Sequence, residues 1–367
     1  MKELKKIRMG VIGLGGISRV HIEGIQRSPD AELVAVCDIN PEVLKSRGDL
    51  YGIPEKRRFT AHTALLKCPE VDAVSICTAN DSHCQIAMDA VKYGKPFALE
   101  KPVALAYPEA AGLELAAREE GVSNMVCFSY RFKTAARYAR HLIRQGALGK
   151  IYHIYVQYFQ GWAMSESIPL IWRFSKAVSG SGALGDLGCH MIDMARFLVG
   201  DFTKICSQAG TFIEKRKLPG EDSFGAVDVD DYCHFLAELA GGVPAVFAIS
   251  RYAFGRGNYQ RIEVYGEKGA LVYNLEFDDS LQVCLGDVYG NARDFHNIPV
   301  PQHFAADQMQ SFFNIVNGRG DGLAASIEDG AASQRVVDAV IASFEQGKWI
   351  NISNQRLVTG DFLNNDQ

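Results

Sequence analysis

The stretch GVIGLGGIS, residues 10–18, places glycines at positions 13 and 15 directly after an apolar run and ahead of a helical pattern. Gly13 permits a tight turn, and Gly15 lets the backbone approach a pyrophosphate at the N-terminus of the following helix, where free N–H groups and the helix dipole favour an anion. Ser18 stands where this fingerprint has its third small residue. The spacing predicts the first strand–turn–helix of a dinucleotide-binding domain; a plain glycine turn is the alternative.

The next apolar run, ELVAVCD, ends at Asp38, twenty residues beyond Ser18. An acidic residue at this distance holds a ribose 2′-hydroxyl, and its charge repels a 2′-phosphate. No arginine follows directly, since the next residues are Ile39 and Asn40. We therefore expect NAD rather than NADP as the cofactor. The cofactor contacts predicted from this part of the chain are Gly13, Gly15, Gly16, Ile17, Ser18, Asp38 and Ile39.

Working outward, short Val- and Ile-rich runs alternate with helical patterns up to about Phe132, as in successive βαβ units. Beyond it, long stretches of alternating polarity such as KIYHIYVQYFQGW are joined by glycine-rich turns, which is typical of an antiparallel sheet with one face on a core. The sequence predicts an α/β domain with a doubly wound parallel sheet over residues 1–130. An α+β domain with a large open, mostly antiparallel sheet is predicted over residues 131–367.

Composition narrows the functional class. A net charge of -5 on 367 residues gives no electrostatic reason to bind nucleic acid. No apolar run approaches the roughly 20 residues that a membrane helix needs. Nine cysteines are scattered singly through the chain, which is typical of reduced thiols in a cytoplasmic protein. We expect a cytoplasmic protein with a small-molecule substrate and no nucleic-acid or membrane partner.

Two further strand ends carry polar residues. TANDSH supplies Thr78, Asn80 and His83, and ALEKP supplies Glu100 and Lys101. Ligands of doubly wound sheets lie outside the carboxyl ends of the strands, so we expect all five residues at the cofactor crevice. Taken alone, Lys101 is more simply explained as a solvated surface lysine; its place in this crevice favours a catalytic role.

GALGDLGCHMID, residues 182–193, sets Asp186 and His190 four residues apart in a glycine-rich run. Neighbours at this spacing on a helix can touch, so Asp186 could orient the imidazole of His190 and stabilise its charged form. The glycines indicate that something approaches the backbone closely. A half-buried Asp–His pair that only stabilises the helix is equally compatible with the pattern. We expect no metal, because a zinc site needs further clustered ligands.

Together these groups suit the oxidation of a secondary alcohol. NAD accepts the hydride, and a base must take the hydroxyl proton. His190 titrates near neutral pH and can serve as that base, with Asp186 orienting it. The ammonium of Lys101 can polarise the alcohol, or the ketone in the reverse reaction.

Read together, GVIGLGGIS, TANDSH, the Glu-Lys-Pro at 100–102, Trp172-Arg173 and SGSGALGDLGCHMID resemble the Gfo/Idh/MocA family of glucose–fructose and inositol oxidoreductases. The resemblance implies an N-terminal Rossmann domain and a C-terminal open sheet that forms the substrate pocket and a homodimer or homotetramer interface. It implies Lys101, Asp186 and His190 as catalytic residues. It also implies substrate contacts at Arg131, Trp172, Arg173, Asp186, His190 and Asp193.

The resemblance favours an NAD-dependent dehydrogenase acting on a ring hydroxyl of a sugar, a sugar derivative or a cyclitol. Two alternatives remain at this point. The same residues could serve a glycosidase or lyase that oxidises its sugar transiently with bound NAD. A non-enzymatic NAD-sensing regulator could keep the fold without the chemistry.

Overall fold

The computed structural model describes residues 6–286 and 294–352. A six-stranded parallel sheet occupies the N-terminal part, with strand order β3-β2-β1-β4-β5-β6. Its strands are β1 (Ile7–Ile12), β2 (Ala31–Cys37), β3 (Arg58–Phe59), β4 (Ala73–Ile76), β5 (Phe97–Leu99) and β6 (Asn124–Val126). The helices between them are α1 (Ser18–Arg27), α2 (Pro41–Leu50), α3 (His62–Leu66), α4 (Asn80–Lys92) and α5 (Tyr107–Glu119). The order reverses between β1 and β4, which creates the crevice where such sheets bind ligands.

A nine-stranded sheet forms the second part, in the order β16-β15-β14-β13-β7-β12-β11-β8-β17. Among the described strands of this sheet, only β7 and β12 pair in parallel. The strands are β7 (Ile151–Phe159), β8 (Phe202–Gly210), β11 (Tyr232–Leu239), β12 (Val243–Ser250), β13 (Tyr259–Gly266), β14 (Ala270–Leu275), β15 (Asp279–Cys284), β16 (His296–Asn297) and β17 (Ile350–Asn351), with a separate hairpin of β9 (Lys215–Lys217) and β10 (Phe224–Ala226). The helices are α6 (Thr134–Arg144), α7 (Lys176–Ser179), α8 (Cys189–Leu198), α9 (Gln308–Val316) and α10 (Ile327–Gln346).

The predicted fold class is confirmed: a doubly wound parallel sheet is followed by a mostly antiparallel one. Strand β8 is absent from the prediction, because its polar residues 203, 204, 207 and 208 obscure the alternation. It pairs with β11 along its whole length, so its sheet neighbours override its composition.

The predicted boundary between residues 130 and 131 falls in a single 3₁₀ turn, Ser129–Phe132, directly after β6. Helix α9 comes much later in the chain but returns to the first part. Its residues Met309, Phe312 and Phe313 share one apolar core with Ile22 and Ile25 of α1. The boundary stays a prediction, and the core of the first sheet includes residues from both sides of it.

Two features bear on how the molecule meets its surroundings. Across the part of the chain that the structure describes, no helix has both the length and the apolar character needed to cross a membrane. The inner face of the second sheet packs on α8 and α10, and the helical run that carries Asp186 crosses that face. The second part of the molecule therefore brings this run to the first sheet.

Candidate active site

A cavity of about 770 Å³ opens at the crevice between β1 and β4. Its walls come from the carboxyl ends of β1, β2, β4 and β5, the start of α4, and the segment around residue 172. It brings together most of the predicted site: Gly13, Gly15, Gly16, Ile17, Asp38, Ile39, Thr78, Asn80, His83, Glu100, Lys101, Trp172, Arg173 and Asp186. Ser18, Arg131, His190 and Asp193 are not on its walls.

The glycine turn is shaped to receive a dinucleotide. Gly13 has a φ of +85°, and a Cβ there would lie 2.7 Å from the backbone of Cys77. A Cβ on Gly15 or Gly16 would meet nothing within 4 Å, because these residues face the open cavity. Ser18 is buried and its Oγ donates to the Gly15 carbonyl at 2.7 Å, so it shapes the turn from behind. These residues fit a pyrophosphate at the N-terminus of α1.

Asp38 is fixed at the far end of the same cavity. Its Oδ2 accepts from the Leu14 N–H at 2.8 Å and its Oδ1 accepts from the Asn40 N–H at 2.9 Å. A side recess of about 510 Å³ lies beside it and contains a second carboxylate, Glu42. Arg47 lines the same recess, so the preference for NAD over NADP rests on the Asp38 carboxylate, whose charge repels a 2′-phosphate.

Lys101 and Asp186 meet across the two parts of the molecule. The Lys101 Nζ donates to Asp186 Oδ1 at 2.8 Å and to the Asp186 carbonyl at 2.9 Å. Burial would lower the pKa of Lys101, but the Asp186 charge outweighs it and holds that pKa above its usual value. Burial would raise the pKa of Asp186, yet Lys101 and then Arg173 bring it down to about 2. The pair is therefore ionised at neutral pH, and the ammonium can donate hydrogen bonds but cannot act as a base.

The surroundings of His190 differ from the prediction that Asp186 orients its imidazole. No hydrogen bond joins it to Asp186, and its buried Nδ1 has no hydrogen-bond partner among the described residues. The physical reason is local: Asp186 lies in a π-helical turn, Leu184–Gly188, so the i, i+4 geometry of an α-helix does not apply. The predicted apolar stripe is confirmed as buried: Leu184, Leu187, Met191, Met194 and Leu198.

Aromatic rings enclose His190 instead. The ring of Tyr130 lies edge-on at 4.7 Å between centroids and that of Phe128 at 5.9 Å. Burial, reinforced by the positive charge of Lys101, holds the pKa of His190 well below 6.5. The imidazole is therefore neutral near pH 7, with the protonation state of a base.

Arg131 and Asp193 form a second buried pair, away from the cavity. The guanidinium donates to both carboxylate oxygens, from Nε at 2.8 Å and from Nη2 at 2.6 Å. A further Nη1 contact reaches Asp329 on α10 at 3.3 Å. Asp193 is completely buried. The structure gives these two residues an internal contact that joins three elements, and no place on the cavity wall.

The glycines around residue 182 do mark a close approach, but the approaching group belongs to the protein. A Cβ on Gly182 would lie 1.8 Å from the Asp230 carbonyl oxygen. The Asp230 carboxylate accepts from the N–H groups of Gly182 and Leu184 at 2.7 and 2.8 Å. Asp230 thus anchors the start of the run that carries Asp186. In the sequence Asp230 is marked by its place beside Asp231, directly ahead of the alternating run that forms β11.

Several cavity residues escape sequence reasoning. His62 follows β3, and Asp81 and Gln85 lie on the exposed side of the first turns of α4. His62 carries no signal in the sequence, because the strand that precedes it has only two residues and no apolar run predicts it. Gln85 has no signal either, because its place depends on how α4 is oriented.

Two family models match this chain. One, described as an oxidoreductase family with an NAD-binding Rossmann fold, matches residues 7–128; the other, a GFO/IDH/MocA C-terminal domain, matches residues 136–272. The chain belongs to the Gfo/Idh/MocA oxidoreductase family. The predicted resemblance is confirmed, and this Gfo/Idh/MocA protein is an NAD-dependent oxidoreductase.

Relatives within the Gfo/Idh/MocA family cover nearly the whole chain. Levoglucosan dehydrogenase of Pseudarthrobacter phenanthrenivorans is 28% identical, over 95% of this chain and 99% of its own. Inositol 2-dehydrogenase of Rhizobium meliloti is also 28% identical, with the same coverage. A solved structure of levoglucosan dehydrogenase in complex with NADH superimposes with a TM-score of 0.87 at 28% identity, covering 95% of this chain and 100% of that one. The predicted cofactor, NAD, is confirmed.

Proposed function

We propose that this protein oxidises a ring secondary hydroxyl of a sugar, a sugar derivative or a cyclitol, with NAD as the hydride acceptor. The observation that carries the proposal is the Lys101–Asp186 pair on the wall of the cofactor cavity. An ammonium and a carboxylate beside the reactive end of a dinucleotide suit a hydroxyl, which both donates and accepts hydrogen bonds. The named activities of the relatives, on levoglucosan and on inositol, support the same class of substrate.

Each residue has one role in this proposal. NAD held by the turn at Gly13 and Gly15 and by Asp38 would supply the acceptor for the hydride of the carbinol carbon. Lys101 donates a hydrogen bond to the substrate oxygen and stabilises negative charge that develops there. His190, neutral because of its burial, takes the hydroxyl proton and becomes an imidazolium ion. Asp186 holds Lys101 in place and offsets the added positive charge.

The outer part of the cavity supplies the remaining substrate contacts. The Arg173 guanidinium lies over the ring of Trp172, 4.2 Å from its centroid, and its Nε is 3.8 Å from Asp186 Oδ2. Its side chain is 42% exposed, so its remaining N–H groups are free to donate to sugar hydroxyls. Arg251, paired with Asp231, donates to the Arg173 carbonyl at 3.3 Å and fixes this segment from below.

The test is NAD reduction by the purified protein across inositols, aldoses, uronic acids and anhydro-sugars, followed by NADH absorbance. We expect net NADH formation with at least one neutral ring polyol. Release of an aglycone from glycosides without net NADH would favour the glycosidase or lyase alternative. NADH binding with no turnover on any member of the panel would favour the regulator.

The role of His190 is tested by His190→Ala. Loss of a general base lowers kcat by about 10²–10⁴-fold, while NAD still binds. NAD binding measured by calorimetry serves as the folding control. Near-normal turnover on the true substrate would remove His190 from this role.

Two predictions concern the protein beyond its site. The cytoplasmic location and a homodimer or homotetramer through the second sheet stay predictions. Chromatography with light scattering measures the assembly directly.

A further inference from the structure

A buried cluster of polar side chains lies beneath the cofactor cavity. His21, on the second turn of α1, has its Nε2 2.9 Å from Glu100 Oε1 and its Nδ1 2.6 Å from the Ser75 Oγ. His21 is 1% exposed and Glu100 9%. The cluster therefore joins the helix that receives the pyrophosphate to β4 and to the end of β5.

The His21–Glu100 contact is an ion pair. Burial would lower the pKa of His21, but Cys77 and Glu100 outweigh it and raise that pKa to about 10. Burial would raise the pKa of Glu100, yet the hydrogen bond from His21 keeps it below its usual value. A buried pair of charges is costly to desolvate, so its presence under a functional cavity needs an explanation.

A metal site is one possible explanation, because Cys127 lies close to both residues. Burial raises the pKa of Cys127 well above 9, so a metal would have to displace the thiol proton to bind there. Both ring nitrogens of His21 are already within hydrogen-bond distance of Ser75 and Glu100. The arrangement fits an internal ion pair, not a coordination sphere.

Glu100 connects the His21–Glu100 pair to the part of the cavity wall that Lys101 forms. Its second oxygen, Oε2, accepts from the backbone N–H of Lys101 at 3.3 Å. Glu100 and Lys101 both line the cavity. A displacement of the Glu100 carboxylate would therefore move the backbone that carries the Lys101 ammonium.

We propose that His21 is a positioning residue: its hydrogen bond to Glu100 holds that carboxylate in place, and through the Lys101 amide it sets the position of the Lys101 side chain and of the cavity wall beside it. The inference rests on the proposed function for the part played by Lys101. Its effect on the cavity wall concerns cofactor binding alone.

Two variants of one residue separate the hydrogen bond from the bulk of the ring. The amide nitrogen of glutamine reaches the place of the imidazole Nε2, so His21→Gln can still donate to Glu100. The amide nitrogen of asparagine reaches the place of Nδ1, so His21→Asn keeps the Ser75 contact and loses the Glu100 contact. Both variants remove the positive charge, which makes each the matched control of the other.

We measure kcat, NADH affinity by fluorescence titration, and the thermal unfolding temperature for both variants. In His21→Asn we expect kcat to fall by about 10-fold or more and NADH to bind about 3- to 10-fold more weakly, as for one lost hydrogen bond to a charged group. In His21→Gln both quantities should stay within about 3-fold of the wild type. Lower unfolding temperatures with unchanged kcat and NADH affinity in both variants would overturn the proposal. Equal losses in both variants would overturn it as well.

Glu100→Gln provides a second route if His21→Asn does not fold. Its side-chain oxygen can still accept from His21, but its amide group cannot accept from the Lys101 N–H. We expect kcat to fall by about 10-fold or more and NADH to bind about 3- to 10-fold more weakly, as for one lost hydrogen bond to a charged group. Wild-type kcat and NADH affinity in Glu100→Gln would overturn the proposal. Failure of the proposed function would appear differently, as wild-type protein that binds NADH and turns over no polyol.

Discussion

Two ion pairs tie the helical run at residues 184–198 to segments that follow strands of the first sheet, yet only one of them lies on the cavity wall. Lys101 pairs with Asp186, and Arg131 pairs with Asp193 seven residues further along the same helical run. The side chains of the first pair are 15% and 28% exposed, and those of the second are 6% and 1% exposed. A basic residue that follows a strand of the first sheet and an acidic residue of this helical run thus give an accessible pair in one case and a sealed pair in the other.

The chemistry of the two cations matches this difference. The Arg131 guanidinium uses its planar fork to bind both oxygens of Asp193, which leaves that carboxylate little capacity for a ligand. The Lys101 ammonium binds one oxygen and one carbonyl, so one of its three donors remains for the substrate. A bidentate sealed pair stabilises the fold, whereas a monodentate pair at a cavity wall can take part in a reaction.

Substitution in the sealed pair, Arg131–Asp193, should give the largest effect, which is on the free energy of unfolding. Arg131→Met leaves the Asp193 charge buried without its partner, and we expect the free energy of unfolding to fall by about 3–5 kcal/mol. Urea denaturation followed by circular dichroism measures this change. Because the two charged groups bind each other through both carboxylate oxygens and Asp193 is fully buried, kcat of the folded fraction should stay close to the wild-type value.

The double variant Arg131→Met, Asp193→Leu sharpens the test. Replacing both charges by apolar groups of similar volume should restore most of the lost stability. Restored stability without activity on the true substrate would contradict a purely structural role and would indicate that Arg131 and Asp193 contact the substrate.

The accessible pair should show its effect on turnover. In Lys101→Met the substrate oxygen loses its charged donor, and we expect kcat to fall by about 10²–10³-fold. Steady-state kinetics with the identified polyol measures the loss, and NADH titration confirms that the cofactor still binds. The double variant Lys101→Met, Asp186→Leu should be folded but inactive, whereas the double variant at Arg131 and Asp193 should be folded and active. Recovery of activity in Lys101→Met, Asp186→Leu would contradict the catalytic role of Lys101.

The smallest effect concerns pH. Burial, and then Lys101, hold the pKa of His190 below 6.5, and the neutral form is the active one. The kcat/KM of the wild type should therefore stay level as the pH falls to 6.5 and decline only at lower pH. Removing the Lys101 charge raises the pKa of His190, so the residual activity of Lys101→Met should decline at a higher pH. Arg131→Met should leave the profile unchanged, and a shift there would show that the two pairs are coupled.

Of the predicted cofactor contacts, all except Ser18 line the cavity. The turn at Gly13 and the acid at Asp38 depend on contacts within one βαβ unit, where chain distance fixes spatial distance. Sequence reasoning reached Lys101 because strand ends of a parallel sheet converge at one edge. The expected contact between Asp186 and His190 is absent, because α-helical spacing does not describe the π-helical turn that carries Asp186. No residue pattern in this segment predicts such a turn.

The sequence by itself determined that two differently patterned halves exist and that the first is an NAD-binding domain, and it predicts that a lysine and a glycine-rich Asp–His segment take part in the chemistry. Local spacing and polarity carry that information, since hydrogen bonding and burial within one unit depend on near neighbours. Only the tertiary structure decided that Asp186 contacts Lys101 and not His190, and that Asp193 is sealed by Arg131. Those partners come from segments far apart in the chain, and their distances depend on how one sheet packs on the other.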